Sequence, residues 1–400
     1  MDESLHWIDT QSASLAQKLV EWSNINSGSR NLVGLARMLA ALEAEFATLG
    51  GQMRRAALPP LEEIDSGGNV ARAPLGEALV IRKRVDAPIR VLLSIHYDTV
   101  FAATDAFQRA VIENDICRGP GVVDAKGGIL VMLTALRALE RSPLAARIGW
   151  DVLLNPDEEI GSPGSAGLLR EFAGKSHLGL VFEPAMPDGS LVGARKGSGT
   201  FTAVVRGRSA HAGRDFASGR SAILALADLI TRFDAIQGHL PGTIMNCGKI
   251  EGGGATNIVP DLAIGRFNVR INTPDQQQAI TDALENAVRE SAKRDGITIH
   301  LHGGFASPPK PLDPRSAKLM EHIIATGEEL DLSLRHVASG GTCDGNKLAA
   351  AGLAVVDSLG PVGGELHSDR EYVRLSSVVE RAKLTALLLL NLAGGKMQVP

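Results

Sequence analysis

Five side chains of metal-ligand type sit in short, widely separated segments: His96 in HYDTV, Asp124 in GVVDAKGG, Glu159 in NPDEEIGS, Glu183 in VFEPAM and His367 in GGELHSD. Two imidazoles and three carboxylates are the donors that a pair of zinc-class ions requires. Cations held about 3.5–4 Å apart can share a hydroxide, and they need several anionic or imidazole ligands to offset their charge. Each segment alone has a plainer explanation. An HxD closing the apolar run VLLSIHYDTV could be a hydrogen-bonded core pair, and Glu158-Glu159 could be a solvated loop before a Gly-Ser turn. Adjacent carboxylates repel unless one is protonated or a cation is bound, so a pair closing the apolar run DVLLN asks for a partner. With all five placed at strand ends of one α/β pattern, a shared metal centre of a hydrolase is the simpler explanation.

In order and spacing, the segments HYDTV, GVVDAKGG, DEEIGS, VFEP, HAG, GGATNIVP, GGTCDGN and GPVGGELHS resemble the di-zinc metallopeptidase family of bacterial glutamate carboxypeptidase, acetylornithine deacetylase, succinyl-diaminopimelate desuccinylase and the aminoacylases. The resemblance runs from about Ser27 to Tyr372 and looks closest to glutamate carboxypeptidase. It implies that Asp124 bridges two Zn2+ ions, with Co2+ or Mn2+ as substitutes, and that a cis peptide bond follows Asp124. It assigns His96 and Glu183 to one ion, and Glu159 and His367 to the other. Asp98 would hold the His96 ring through its second nitrogen, and Glu158 would act as general base toward water and then as acid toward the departing amine.

The resemblance extends to substrate contacts. His211 would support the oxyanion, reaching across a homodimer joined through a lid. Asn257 would hydrogen-bond the substrate, and Arg270 would grip its α-carboxylate bidentately, although an ordinary strand surface charge is the plainer alternative for Arg270. Backbone donors of the Gly340–Asn346 loop, Gly341 among them, would lie near the same carboxylate. Cys343 stands there where relatives often carry Ser, and a buried thiol is expected. Glu rather than Asp at position 183 is, in the family, the pattern of carboxypeptidases and acyl-amino-acid hydrolases, so substrates with a free carboxylate are implied.

The elements that must position these groups follow from hydrophobic periodicity. Leu32, Leu35, Leu39, Leu42, Phe46 and Leu49 recur at helical spacing and stop at Gly50-Gly51. A strand over 89–95, a helix over 129–139, and strands over 150–154 and 178–182 then alternate. That order predicts a three-layer α/β domain around a mostly parallel mixed sheet, with ligands at the strands' carboxyl ends. From Gly193 the pattern becomes strand 200–205, helix 221–233, strands 243–250 and 257–271, helix 274–293 and strand 298–301. This β-α-β-β-α-β order predicts an inserted ferredoxin-like α+β domain, the lid and dimerisation module. The expected division is 1–192 and 308–400 for the catalytic domain and 193–307 for the insert, with a helix over 315–328 after the return.

Composition narrows the partners. Four hundred residues, 44% of them hydrophobic, suit two cores. A net charge of −4 without a dominant Lys/Arg cluster argues against nucleic acid or an anionic membrane as partner. Cys117, Cys247 and Cys343 are isolated and lack CxxC spacing, and MDESLHWIDTQ lacks a basic n-region and an apolar stretch, so a cytoplasmic location is expected. Residues 384–392 are apolar but too short to span a membrane and should form a buried terminal helix.

The sequence thus points to a zinc-dependent hydrolase cleaving the amide bond of an N-acyl amino acid or short peptide that carries a free carboxylate. A deacylase or dipeptidase of the same family is the alternative within the enzyme class. A non-catalytic dimeric binding protein is less compatible with Glu158 and all five ligands in place. GPGVVDAKGG lacks the residue order of a phosphate-binding loop, which sets aside a nucleotide-binding protein.

Overall fold

The computed structural model describes residues 3–400; Met1 and Asp2, at the head of the acidic opening segment, lie outside the described residues. Two units are present among the described residues: 3–59, 74–194 and 311–400 form one, and 60–73 with 195–310 form the other.

In the first unit, helices α1 (Glu3–Asp9), α2 (Ser12–Ser23) and α3 (Leu32–Phe46) precede strands β1 (Gln52–Ala56), β2 (Ala78–Lys83) and β3 (Ile89–His96). Asn31 caps α3 by accepting the Gly34 N–H at 3.1 Å, which satisfies one of the helix's unpaired donors. Helix α4 (Gly128–Arg141), β4 (Ile148–Asn155), α5 (Ala166–Ala173) and β5 (Leu178–Val181) follow.

The chain then builds the second unit from β6 (Gly197–Arg206), α6 (Ala222–Ile236), β7 (Ile244–Gly252), β8 (Leu262–Ile271), α7 (Pro274–Ser291) and β9 (Thr298–Ser307). It returns to the first unit through α8 (Pro314–Glu328), α9 (Asp344–Ala350), β10 (Ala354–Val356) and α10 (Leu375–Ala393).

The main sheet has the order β1-β2-β4-β3-β5-β10. Strands β4, β3, β5 and β10 run parallel, and β1 and β2 pair antiparallel along one edge. Alternation divides the side chains between two cores. Leu79, Ile81, Leu93 and Ile95 join a cluster with α4, α8 and α10, while Val80, Leu92, Leu153 and Val181 pack with Leu169 and Phe172 of α5 and Leu348 of α9. Helices therefore cover both faces, and the sheet interior is apolar on both sides. Residues 384–392 lie within α10 and are nearly all buried. Among the described residues no helix is long and apolar enough to cross a membrane.

The second unit is an antiparallel sheet of order β7-β8-β6-β9 backed by α6 and α7, the ferredoxin-like arrangement. Two boundaries differ from the sequence expectation. The strand expected from Asn257 begins at Leu262, because Pro260 cannot donate to a ladder and the residues before it turn away to pair with the 210–212 segment. The last strand continues past Leu301 to Ser307 along β6.

A third difference concerns residues 60–73, expected in the first domain. They form a hairpin, Leu61–Ile64 against Val70–Ala73, that belongs to the second unit. Arg266 donates to Ile64 O at 2.8 Å and Arg206 to Gly67 O at 2.9 Å. The hairpin thereby covers the sheet face opposite the helices, where Val204 and Ile264 are buried.

Gly68 has φ of 74°, and a Cβ on it would meet Val204 Cγ1 at 2.7 Å. Gly68→Val combines backbone strain with a clash, so it should lift the hairpin from the sheet. Limited proteolysis should then cut within residues 60–73 several times faster than in the parent; an unchanged cleavage rate would count against this packing.

Candidate metal centre and active site

Strand β3 ends on His96, which is in register with Asn155, the last residue of β4. Glu159 follows β4 and Glu183 follows β5, so three of the candidate ligands leave the carboxyl ends of adjacent parallel strands. Asp124 comes from the tight segment ahead of α4, and its peptide bond to Ala125 is cis, as the resemblance implies. His367 sits on an exposed loop closed at its base by the pairing of Gly363-Gly364 with Tyr372-Val373.

These five side chains converge around Asp124. His96 Nε2 lies 3.1 Å from Asp124 Oδ1 and 3.9 Å from Glu183 Oε2. His367 Nε2 lies 3.5 Å from Asp124 Oδ2 and 3.3 Å from Glu159 Oε2. Each oxygen of one carboxylate thus faces its own imidazole, and each imidazole has its own second carboxylate. Donor atoms of His96, Asp124 and Glu159 fall within 4.8 Å of one another. Burial opposes ionisation of Asp124, but hydrogen bonds from His367 and His96 outweigh it and hold the carboxyl below the usual range. Burial, then the charge of Asp124, raises Glu159. A site crowding several carboxylates among imidazoles has the chemistry of a cation cage and fits a divalent metal.

Asp98 organises this group from beneath. Nδ1 of His96 lies 3.1 Å from the Asp98 carbonyl and 3.3 Å from its carboxylate. A carbonyl only accepts, so Nδ1 carries a proton, and Nε2 is the nitrogen turned toward the cluster. The Asp98 carboxylate also accepts the backbone N–H groups of Glu158 (3.1 Å) and Glu159 (3.2 Å) and the hydroxyl of Ser29 (2.7 Å). One residue therefore sets both the ring of His96 and the backbone of the double glutamate. Glu158 is partly buried, and burial followed by the nearby Glu183 raises its carboxyl well above the ordinary range.

Gly341 lies in the first unit on the loop before α9, where its N–H donates to Ser339 Oγ at 3.2 Å. Cys343 is buried at the start of that helix, and Asp344 beside it accepts from Asn155 Nδ2 at 2.7 Å, tying the loop to the end of β4.

The remaining expected residues belong to the second unit. His211 is exposed, and its Nδ1 accepts the N–H groups of Gly213 (3.1 Å) and Arg214 (3.2 Å), so the proton resides on Nε2. Asn257 is its neighbour, since Ala212 N–H donates to Asn257 O at 2.9 Å. Arg270 is near the far end of β8, half-buried, with its Nε donating to Asn268 Oδ1 at 2.9 Å.

The family model describing peptidase family M20/M25/M40 matches residues 92–391, three quarters of the sequence. The chain belongs to this family. Carboxypeptidase G2 from Pseudomonas sp. (strain RS-16) is 29% identical over 388 residues, covering 95% of this chain and 89% of that protein. Succinyl-diaminopimelate desuccinylase from Gluconobacter oxydans is 26% identical over 289 residues, with 69% of this chain and 73% of that protein covered. The M20 family metallo-carboxypeptidase Sso-CP2 from Sulfolobus solfataricus superposes with a TM-score of 0.72 at 17% identity, covering 98% of this chain and 99% of that one, so the fold is shared. M20 enzymes are metal-dependent peptidases, and this chain is a hydrolase acting on amide bonds.

Two polar groups of this M20 site escape the sequence pattern. Ser29 comes from the segment before α3 and reaches Asp98 only because the Gly28–Thr99 bridge brings the strands together. Glu371 is buried and accepts N–H groups from the Asp124 segment, whereas Glu365 and Asp369 nearby are exposed partners of Arg370. Nothing in HSDRE separates the buried carboxylate from the solvated ones.

The contacts of Asp98 generate a prediction. Asp98→Asn keeps the shape but loses the charge and presents an amide to backbone donors, so divalent-ion affinity should drop about 10–100-fold. Chelator competition on the purified variant measures this; affinity equal to the parent's would show that Asp98 does not hold the cluster.

Proposed function

We propose that this M20 enzyme is a two-zinc carboxypeptidase or N-acyl-amino-acid hydrolase, cleaving the amide bond to an amino acid that bears a free carboxylate. The observation that carries the proposal is the placement of Asp124, whose two oxygens face separate imidazole and carboxylate pairs with Glu158 beside them. His96 and Glu183 would hold one ion, Glu159 and His367 the other, and Asp124 both. When bound, the ions supply Lewis acidity toward the scissile carbonyl and the attacking water. Glu158 accepts the proton that water releases and returns it to the nitrogen of the departing amine.

On the substrate, Arg270 receives the α-carboxylate; its planar fork matches two oxygens, and its partial burial leaves the guanidinium incompletely hydrated. Gly341 and its loop present backbone donors to the same group. The acyl portion occupies a cavity of about 490 Å³ whose wall includes Ser29, Thr99, Phe101, Ala103 and Glu159. The names of the relatives, carboxypeptidase G2 and succinyl-diaminopimelate desuccinylase, support an amide substrate with a carboxylate on the leaving side.

A homodimer is part of this proposal, and the geometry of the second unit supports it. Ser198 pairs with Arg270 and Arg206 with Leu262, so the His211 and Asn257 segment leaves the end of the sheet opposite Arg270. Eight residues of strand between 262 and 270 are about 27 Å. His211 and Asn257 of the same chain are therefore remote from Arg270, and a second copy would bring its own pair to the site. There the protonated Nε2 of His211 donates to the developing oxyanion and Asn257 hydrogen-bonds the substrate. Exposed Ile244 and Ile250 on edge strand β7, with Ile223 and Leu224 on α6, offer apolar surface for the contact. A cytoplasmic location belongs to the same reading.

Two tests apply. Glu158→Gln should retain its metal while kcat on N-acyl amino acids falls about 10²–10⁴-fold, whereas Glu159→Gln should lose metal; the reverse pattern would exchange their roles. Mixing inactive His211→Ala and Glu158→Ala chains should restore part of the activity, because one site of the mixed dimer then has both groups. Absence of any recovery under conditions where subunits exchange would place His211 in its own chain's site.

A further inference from the structure

The loop that carries His367 is exposed, and residues 365–370 have little burial to hold them, yet His367 has to keep its place opposite Asp124 and Glu159. Glu365 and His367 both adopt positive φ, 57° and 61°, a conformation that non-glycine residues enter only when their surroundings impose it. Four residues beyond His367, the chain turns inward at Glu371, which is 1% exposed.

The Glu371 side chain accepts from Gly121 N–H at 3.1 Å, Val123 N–H at 3.0 Å and Asp124 N–H at 3.1 Å. Its backbone carbonyl accepts from Gly119 N–H at 3.2 Å, and its own N–H donates to Ser368 O at 3.2 Å. Tyr372 then pairs with Arg118. One buried residue thus joins the segment presenting Asp124 to the loop presenting His367. Lys126, also buried, donates to Ile25 O at 2.9 Å; burial pulls its ammonium down to about 7, against the opposing charge of Glu371. A surface loop acid would need none of these contacts.

We propose that Glu371 is a positioning residue for the half of the metal centre built from Asp124, Glu159 and His367. The proposal rests on the two-ion reading of the site. The other half depends less on it, because His96 ends a central strand and Glu183 follows another, both rigid within the sheet core. Replacing Glu371 by Gln removes the charge and leaves one carbonyl oxygen for three backbone donors, so an amide NH2 faces at least one N–H that then lacks an acceptor. The Asp124 segment and the His367 loop would separate, and the ion between them would be the one released.

The experiment is a zinc titration with chelator competition on the parent and Glu371→Gln chains, with melting of the metal-free proteins measured alongside. The parent should bind two ions. In the variant one affinity should stay within about threefold, and the other should weaken about 10–100-fold, the range for residues that orient ligands. Glu371→Asp, which keeps the charge but shortens the reach, should lie between the two and serves if Glu371→Gln does not fold. A variant that melts lower but binds both ions as the parent does would make Glu371 merely structural and overturn the proposal. Equal weakening of both ions would overturn its selectivity for one half. A parent that binds a single ion would overturn the two-ion reading and this proposal together, whereas a parent binding two beside an unchanged variant would remove only the role of Glu371.

Discussion

Like-charge crowding is the constraint on which the rest of the first unit depends. Asp124, Glu158, Glu159 and Glu183 share one buried locus, and two unit charges about 4 Å apart repel by about 4 kcal/mol at the effective dielectric of a protein surface region. Without compensation such a group would protonate or push its loops apart. Two imidazoles take part of the charge, and divalent ions are the natural complement for the remainder. The scaffold contributes geometry: β3, β4 and β5 end side by side, so the ligands that follow them need almost no loop to reach a common point. Backbone N–H groups do the rest, donated to Asp98 from the double glutamate and to Glu371 from the Asp124 segment.

Much of this organisation is visible before folding. The apolar runs ending at His96 and at Asn155 have the composition of strands buried on both faces, and each is followed two residues later by a carboxylate, Asp98 or Asp157. The order of elements in the second unit likewise implies its sheet topology, which is the one observed. Other features have no local signal. Residues 60–73 resemble any polar hairpin, and their membership of the second unit depends on Arg206 and Arg266, more than one hundred residues away. Glu371 and Ser29 are distinguished only by burial, which is a property of the whole fold. Pro260 does mark the late start of β8, and hydrophobic continuity alone conceals it.

The second unit shows how a small antiparallel sheet can separate side chains instead of gathering them. A strand carries its ends far apart, and His211 with Asn257 sits beyond one end of β8 while Arg270 sits near the other. Sequence motifs cannot convey that separation, because Asn257 and Arg270 are only thirteen positions apart. The extended backbone between them converts sequence proximity into distance, and the proposed homodimer is the arrangement that would bring all three groups to one substrate.

The most direct measurement is an anomalous difference map from crystals of the intact protein grown with zinc. Two peaks about 3.5–4 Å apart are expected, one beside His96 and Glu183, the other beside Glu159 and His367, with the Asp124 carboxylate between them. A single peak at full occupancy, or zinc bound elsewhere with the Asp124 cluster empty, would contradict the two-ion centre from which the proposed chemistry follows.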